Sequence, residues 1–407
     1  MSTLADFESR AFRSLERRPI AGTATRVLRT ALLDAPVAWW FGVVEHEVFG
    51  HGGRARELGS SAGFHLGSPW AGRTSYSTFD AGGLSDEDLL RVYAGGSEAN
   101  GSTATGIERE LAAGRSARPL EWLFLASNRL VASDYVLRTT PDPMKDPAGF
   151  HAEWSGGGDV ARYLGYLHAR YHGQTTVTPT GSSPALIAQY RRLRRQAYWN
   201  AADPGTWLSL WSVGRQIGTG RESAPLPLPT LAGRRFLPIL SSDWLPDGGV
   251  ASLEAVFSST ERNSPDDRAR WRSIVLRRGR GPGGAFGALG AASERILRRE
   301  WVRVGAEIEL WSRPGRRAGG GLRLRFTNPK GRLAGSFVEV GAKSAGHWPG
   351  RPAGTGLMIR IGGTLGAYPS PGRDPARAPA DPEPGVGSAA RSTPGRTTSS
   401  CSGGRRG

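Results

Sequence analysis

The chain has 407 residues, 38% of them hydrophobic, with 58 Gly, 28 Pro and a formal net charge of +17. That length allows two or three domains with real cores. The hydrophobic share and a mean hydropathy of -0.37 exclude a wholly disordered chain and a polytopic helical membrane protein. A single cysteine, Cys401, excludes an internal disulfide framework and a cysteine zinc cluster, so any metal site must be built from His and carboxylates.

Taken in chain order, residues 1–60 have helical character. Asp34-Ala-Pro36 predicts a helix start, with Asp34 as N-cap and a helix running from Val37 to His51 or beyond. Its apolar run Ala35–Val44 (APVAWWFGVV) is too short to cross a bilayer unaided and is bracketed by Asp34 and Glu45. The Gly/Ser-rich residues 60–84 predict a loop. Ser85–Tyr93 predicts a helix with a serine cap and acids in its first turn, Gly95-Gly96 an interruption, and Ser97–Ala113 a second helix. Further helices are expected over Pro119–Leu137, Asp159–His172, Ser183–Asn200 and Trp207–Ile217. Ala224–Pro229 (APLPLP) marks a linker, and beyond it the hydrophobic period falls to two. Strands are expected at Phe236–Ser241, Val250–Phe257, Trp271–Leu276, Trp301–Trp311, Gly321–Phe326, Gly335–Val340 and Leu357–Ile361, and the Gly-rich Arg280–Ala288 predicts turns or tight strand contacts.

The expected architecture is α+β: a mainly helical domain over 1–223, an antiparallel β-rich domain over 230–368 in the form of a sandwich or small barrel, and a disordered basic Pro/Gly/Ser/Arg tail over 369–407. Leu322 and Leu324 alternate with Arg323 and Arg325, which puts charge on one sheet face only.

The segment His46-Glu47-Val48-Phe49-Gly50-His51 concentrates the chemistry. A zinc helix needs two imidazoles on one side and a carboxylate beside the metal-bound water. The histidines here stand five apart, and on a regular helix they would diverge by roughly 140°. A π-bulge absorbs one extra residue, and Gly50 beside His51 tolerates the altered backbone. The lead-in VAWWFGVV would bury the helix and dry the site.

These six residues resemble the HEXXGH zinc motif of the dipeptidyl peptidase III family of zincin metallopeptidases. The resemblance implies that His46 and His51 bind Zn2+, that Glu47 is the general base acting on the zinc-bound water, and that the helical part is zincin-like. A third ligand would come from a later helix. Glu98 is the choice: it opens a helix after two glycines, about one helical hairpin downstream, where single-carboxylate zincins place this ligand. Glu57, Glu108, Glu110 and Asp134 compete with it. Substrate-binding or supporting roles are assigned to Asn100 (orienting substrate backbone), Arg54 (binding a substrate carboxylate), Asp134 (accepting from a ligand histidine) and Tyr135 (stabilising an oxyanion). His168 and His172, at i and i+4, form a rival pair without an adjacent glutamate.

The expected activity is therefore zinc-dependent hydrolysis of a peptide or protein substrate. The alternative is a non-catalytic envelope or membrane-associated protein with a β-barrel-like C-terminal domain. The basic balance favours an anionic membrane surface, and arginines scattered rather than striped argue against nucleic acid. The N-terminus shows no apolar signal-peptide core; the basic balance, the apolar Trp39-Trp40 segment and the β-domain favour a cell-envelope or membrane-associated place over a purely cytoplasmic one.

Overall fold

The computed structural model describes residues 19–362, except 71–74, 174–176, 179, 222–223, 260–270, 300, 314–316, 329–335 and 345–354. The tail over 369–407, Cys401 and the first eighteen residues lie outside them. The described chain is α+β, with helices first and one nine-stranded antiparallel sheet after them.

A single helical run opens the structure: α1 (Pro19–Arg29), a π-turn over Thr30–Asp34, α2 (Ala35–Val44), a π-helical segment over Glu45–His51, and α3 (Gly52–Glu57). Asp34 does not cap a helix start as expected. Its backbone is helical and its carboxylate lies 3.5 Å from Arg29 Nε, so the run passes straight through Pro36. From Gly22 to Glu57 the run is 36 residues, long and apolar enough to cross a membrane by length and composition alone.

The expected loop over 60–84 contains a hairpin, β1 (Ala62–His65) with β2 (Tyr76–Phe79). Helix α4 (Asp86–Ala112) is then continuous for 27 residues, opened by a Ser85–Asp88 capping box. Gly95-Gly96 does not interrupt it. These glycines are contact points, since a Cβ on either would run into the segment that carries the histidines. Helix α5 (Pro119–Asp134) ends in a second π-turn, Tyr135–Thr139. Next come α6 (Pro147–Gly156), which the periodicity had not announced, α7 (Asp159–His172), α8 (Pro184–Ala201) and α9 (Pro204–Thr219). Two-residue ladders pair β3 (Ser116–Ala117) with β6 (Ala224–Pro225), and β4 (Val177–Thr178) with β5 (Gly181–Ser182).

The large sheet runs in strict meander order. It comprises β7 (Thr230–Leu231), β8 (Arg234–Leu245), β9 (Gly248–Ser259), β10 (Trp271–Gly281), β11 (Gly284–Arg298), β12 (Arg303–Arg313), β13 (Arg317–Thr327), β14 (Phe337–Lys343) and β15 (Gly356–Gly362). Among the described residues it faces no second sheet, so the sandwich form is not adopted. Arg280–Ala288 forms a turn at Pro282-Gly283 with tight strand contacts at Gly281 and Gly287, and the strand that leaves this turn, β11, had not been announced. Its Gly and Ala residues hide a period-two pattern that register with β10 and β12 reveals.

Helices and sheet share a core. Leu111, Trp122 and Val213 from helices pack with Leu237, Ile239 and Val256 from β8 and β9. The described residues fall in one compact unit. A second cluster, with Leu90, Phe150, Tyr163, Leu167 and Tyr190, joins α4, α6, α7 and α8 around Trp244 of β8.

The sheet's polarity is inverted relative to a soluble one. Side chains facing the helices include the buried Glu254, Glu309, Glu339 and Lys343. The opposite face carries one register row of Pro238, Ala255, Ile274, Ala291, Ile308, Leu322, Ala342 and Leu357, apolar across all eight long strands.

Candidate metal centre

The π-helical segment Glu45–His51 resolves the five-residue spacing. Widening the turn by one residue places His46 and His51 on one side, with their Nε2 atoms 3.1 Å apart. Close packing makes this geometry possible. A Cβ on Gly96 would overlap the His46 imidazole, and one on Gly50 would meet the backbone of Gly95 and Gly96. The glycine pair in α4 therefore lets the two helices approach within backbone contact.

The third group is Asp159, at the first position of α7. Its Oδ2 lies 3.0 Å from His46 Nε2 and 3.2 Å from His51 Nε2. The three residues form a group capable of holding a metal. Atoms about 2.0–2.1 Å from a tetrahedral zinc are roughly 3.3 Å from one another, close to the spacing found.

The far side of each imidazole fixes what these atoms can hold. His46 Nδ1 is 2.8 Å from Asn100 Oδ1, and His51 Nδ1 is 2.7 Å from the Val92 carbonyl. Asn100 donates its amide to the Gly42 carbonyl (2.9 Å) and to Asn128 Oδ1 (2.7 Å), which turns its oxygen toward His46. Both Nδ1 atoms therefore carry the proton. Neutral imidazoles then present two Nε2 lone pairs to each other and to a carboxylate, an arrangement that repels itself without a cation at its centre. In the absence of metal a proton takes that role. Burial by itself would lower the His51 pKa, but the Asp159 carboxylate outweighs it and His51 is pushed up to about 9. Burial would likewise raise Asp159, yet the two imidazoles hold it well below the usual carboxylate range. The donor set, two imidazoles and a carboxylate with oriented partners behind them, suits zinc.

Glu47 is buried next to this group, and its charge adds to the forces that hold the His51 proton. Among the described residues its carboxylate makes no hydrogen bond or ion pair. Tyr135 stacks on the His46 ring, 5.1 Å between centroids and 9° between planes. The π-turn that begins at Tyr135 follows α5 directly. Burial, then the Asp159 and Glu47 charges, push its phenol far above the ordinary range.

The other sequence expectations fall elsewhere. Glu98 is not against the imidazoles: it receives Arg54 through two bonds, Nη2 to Oε1 at 2.6 Å and Nε to Oε2 at 3.2 Å. Arg54 also pairs with Glu57 at 2.6 Å, so it braces α3 against α4 and its charge is spent within the protein. Asp134 faces Arg138 in a solvent-exposed pair and does not accept from a ligand histidine. Asn100 supports His46 from behind. Glu108 is buried against Arg129, and Glu110 pairs with Arg115. His168 bonds Ser183 Oγ at 2.8 Å and stacks near His172, with no carboxylate beside them in a metal-binding group among the described residues.

Asp159 was missed although it met the criterion applied to Glu98: a carboxylate opening a helix directly after glycines, here Gly156-Gly157-Gly158. The fold and the site thus define an α+β protein with a buried His–His–Asp centre on a π-helical turn. No protein-family model matches the chain, and neither a curated protein nor a solved structure is detectably similar to it.

Proposed function

We propose that the protein is a zinc-dependent hydrolase of the metallopeptidase type, with His46, His51 and Asp159 as the metal ligands and Glu47 as the general base. The observation that carries this reading is the convergence of His46 Nε2, His51 Nε2 and Asp159 Oδ2 within 3.2 Å, with both Nδ1 protons committed elsewhere. The resemblance of His46–His51 to the HEXXGH motif points the same way.

Zinc, when bound, supplies a Lewis acid that acidifies water and polarises a carbonyl. The chain's own residues do the rest. Glu47, unpaired and buried, takes a proton from the water as its oxygen bonds to the carbonyl carbon of the peptide. It returns that proton to the amine nitrogen as the C–N bond breaks, and ends as the carboxylate it began. Tyr135 remains protonated at working pH, so it acts as a hydrogen-bond donor toward the developing oxyanion. Asn100 and the Val92 carbonyl hold the imidazoles in the ligand tautomer.

The test is elemental analysis of purified wild type, His46→Ala and Asp159→Ala, followed by a peptide-library hydrolysis assay of wild type and Glu47→Gln. About one zinc per wild-type chain, lost in the first two variants, with hydrolysis abolished in a Glu47→Gln protein that keeps its zinc, is expected. Metal-free wild type after reconstitution, or full hydrolysis by Glu47→Gln, would overturn the reading.

A further inference from the structure

The eight long strands present one continuous apolar face away from the helices. Beside the row through Ile274 and Ile308 lies a second, Leu240, Leu253, Leu276, Leu289 and Leu310, in register across β8 to β12. Leu240 is half-buried and the other four are exposed, Leu276, Leu289 and Leu310 by 57%, 57% and 60%. Behind them, on the helix side, Arg277 bonds Glu309 and Arg109 bonds Glu254, both buried. Charge inside and aliphatic side chains outside is the reverse of a solvated sheet, and it is the pattern of a sheet whose outer solvent is hydrocarbon.

We propose that this outer face is a lipid-contact surface that seats in the hydrocarbon of an anionic bilayer. Three observations favour lipid over a protein partner. The two rows contain no side chain able to hydrogen-bond, whereas protein interfaces carry about one hydrogen bond per 100–200 Å² and centre on aromatic and Arg anchors. The band also climbs across the register. At β10 it is bounded by Arg272, yet at β13 to β15 it continues past that level through the exposed Phe326, Val338 and Ile361. A flat hydrocarbon layer cuts tilted strands in that way. Finally, exposed Arg272 and Arg278 point outward at the two borders on β10, with about 20 Å of strand between them. Their long stems extend that span toward the roughly 25 Å apolar band of membrane sheets while their guanidinium groups reach anionic headgroups.

The free edge of β8 is already satisfied from within the protein. Leu240 N–H donates to Asp203 Oδ1 (2.9 Å) and Ser242 N–H to Asn200 Oδ1 (2.6 Å), so helical side chains replace a neighbouring strand there.

The experiment uses full-length Cys401→Ser protein with a single new cysteine, Leu276→Cys or Ile308→Cys, carrying an environment-sensitive fluorophore, and Met144→Cys on the helical part as control. Labelled protein is mixed with phosphatidylcholine/phosphatidylglycerol vesicles, with quenchers on the acyl chains or in the water. Acyl-chain quenching at positions 276 and 308 at least fivefold above that at 144, with iodide quenching reversed, is expected. In flotation, Ile308→Asp should reduce vesicle recovery at least tenfold while its zinc content stays that of wild type, which keeps this test separate from the metal centre. Vesicle binding without acyl-chain quenching would mean adsorption through arginines alone and would overturn the proposal. So would a monodisperse aqueous dimer in which the labels are shielded without lipid, since a second copy would then cover the face.

Discussion

His46 donates its Nδ1 proton to Asn100 Oδ1 across 2.8 Å, and Asn100 is itself fixed by donating to the Gly42 carbonyl and Asn128. The asparagine therefore decides which nitrogen of His46 faces His51 and Asp159. Removing such a supporting acceptor usually costs about 10–100-fold in metal affinity. Asn100→Ala is expected to fall in that range, read by competition with a chromogenic chelator, while the circular dichroism spectrum stays helical. Unchanged affinity would remove Asn100 from the site.

Asp159 and Glu98 are separated by a paired comparison. Asp159→Asn should lose its zinc under dialysis that leaves wild type loaded. Glu98→Gln should keep its zinc but melt earlier, because Arg54 loses its strongest partner in a buried setting. Breaking a buried pair from one side costs roughly 3 kcal/mol or more. Zinc loss in Glu98→Gln with retention in Asp159→Asn would reverse the assignment.

The helix crossing is tested at Gly96. A Cβ there overlaps the His46 imidazole, so Gly96→Ala must displace the ring or the helix. Overpacking of this kind costs about 1–3 kcal/mol. The variant should bind zinc at least tenfold more weakly and melt below wild type; Gly106→Ala, which meets open space on the same helix, should do neither.

The metal-free protein should show a defined pH dependence. His51 titrates near 9 in the fold and near its ordinary value of 6.5 when unfolded, the rise being owed to Asp159 against the opposing effect of burial. A raised pKa contributes stability that is complete below about 6.5 and is lost as pH rises through about 9. Melting temperature of the apo protein should therefore decline across that window, and His51→Gln should flatten the decline. Zinc competes with the same proton, so its affinity should rise over the same interval. An apo melting curve independent of pH from 6 to 10 would contradict this.

Local features of the site were legible because they are local. His46, Glu47 and His51 lie within one turn, and the five-residue spacing can place two imidazoles together only through a widened turn, which the π-helical Glu45–His51 supplies. The same holds for helix α7, whose bounds Asp159–His172 follow from its periodicity and the glycines before it. Asp159 stands 113 residues from His46, however, and nothing in its neighbourhood distinguishes it from Glu98. In the sequence both are acids that follow glycines in helical surroundings, although in the fold only Asp159 opens a helix and Glu98 lies in the middle of α4. Packing separates them, because Arg54 neutralises Glu98 while the start of α7 delivers Asp159 to the histidines.

The sequence by itself determined the α-then-β order, the motif that concentrates the chemistry, and the alternation that puts charge on one sheet face. Each depends on composition or on spacings of two to five residues, where backbone geometry dictates which side chains share a side. Only the tertiary structure decided which carboxylate stands against the histidines, the role of Gly95-Gly96 as a contact between helices, and which way the charged face of the sheet points. Those depend on long-range packing: a helix crossing close enough to exclude a Cβ, a carboxylate brought across the core, and helices laid on the charged face, leaving the leucines outside.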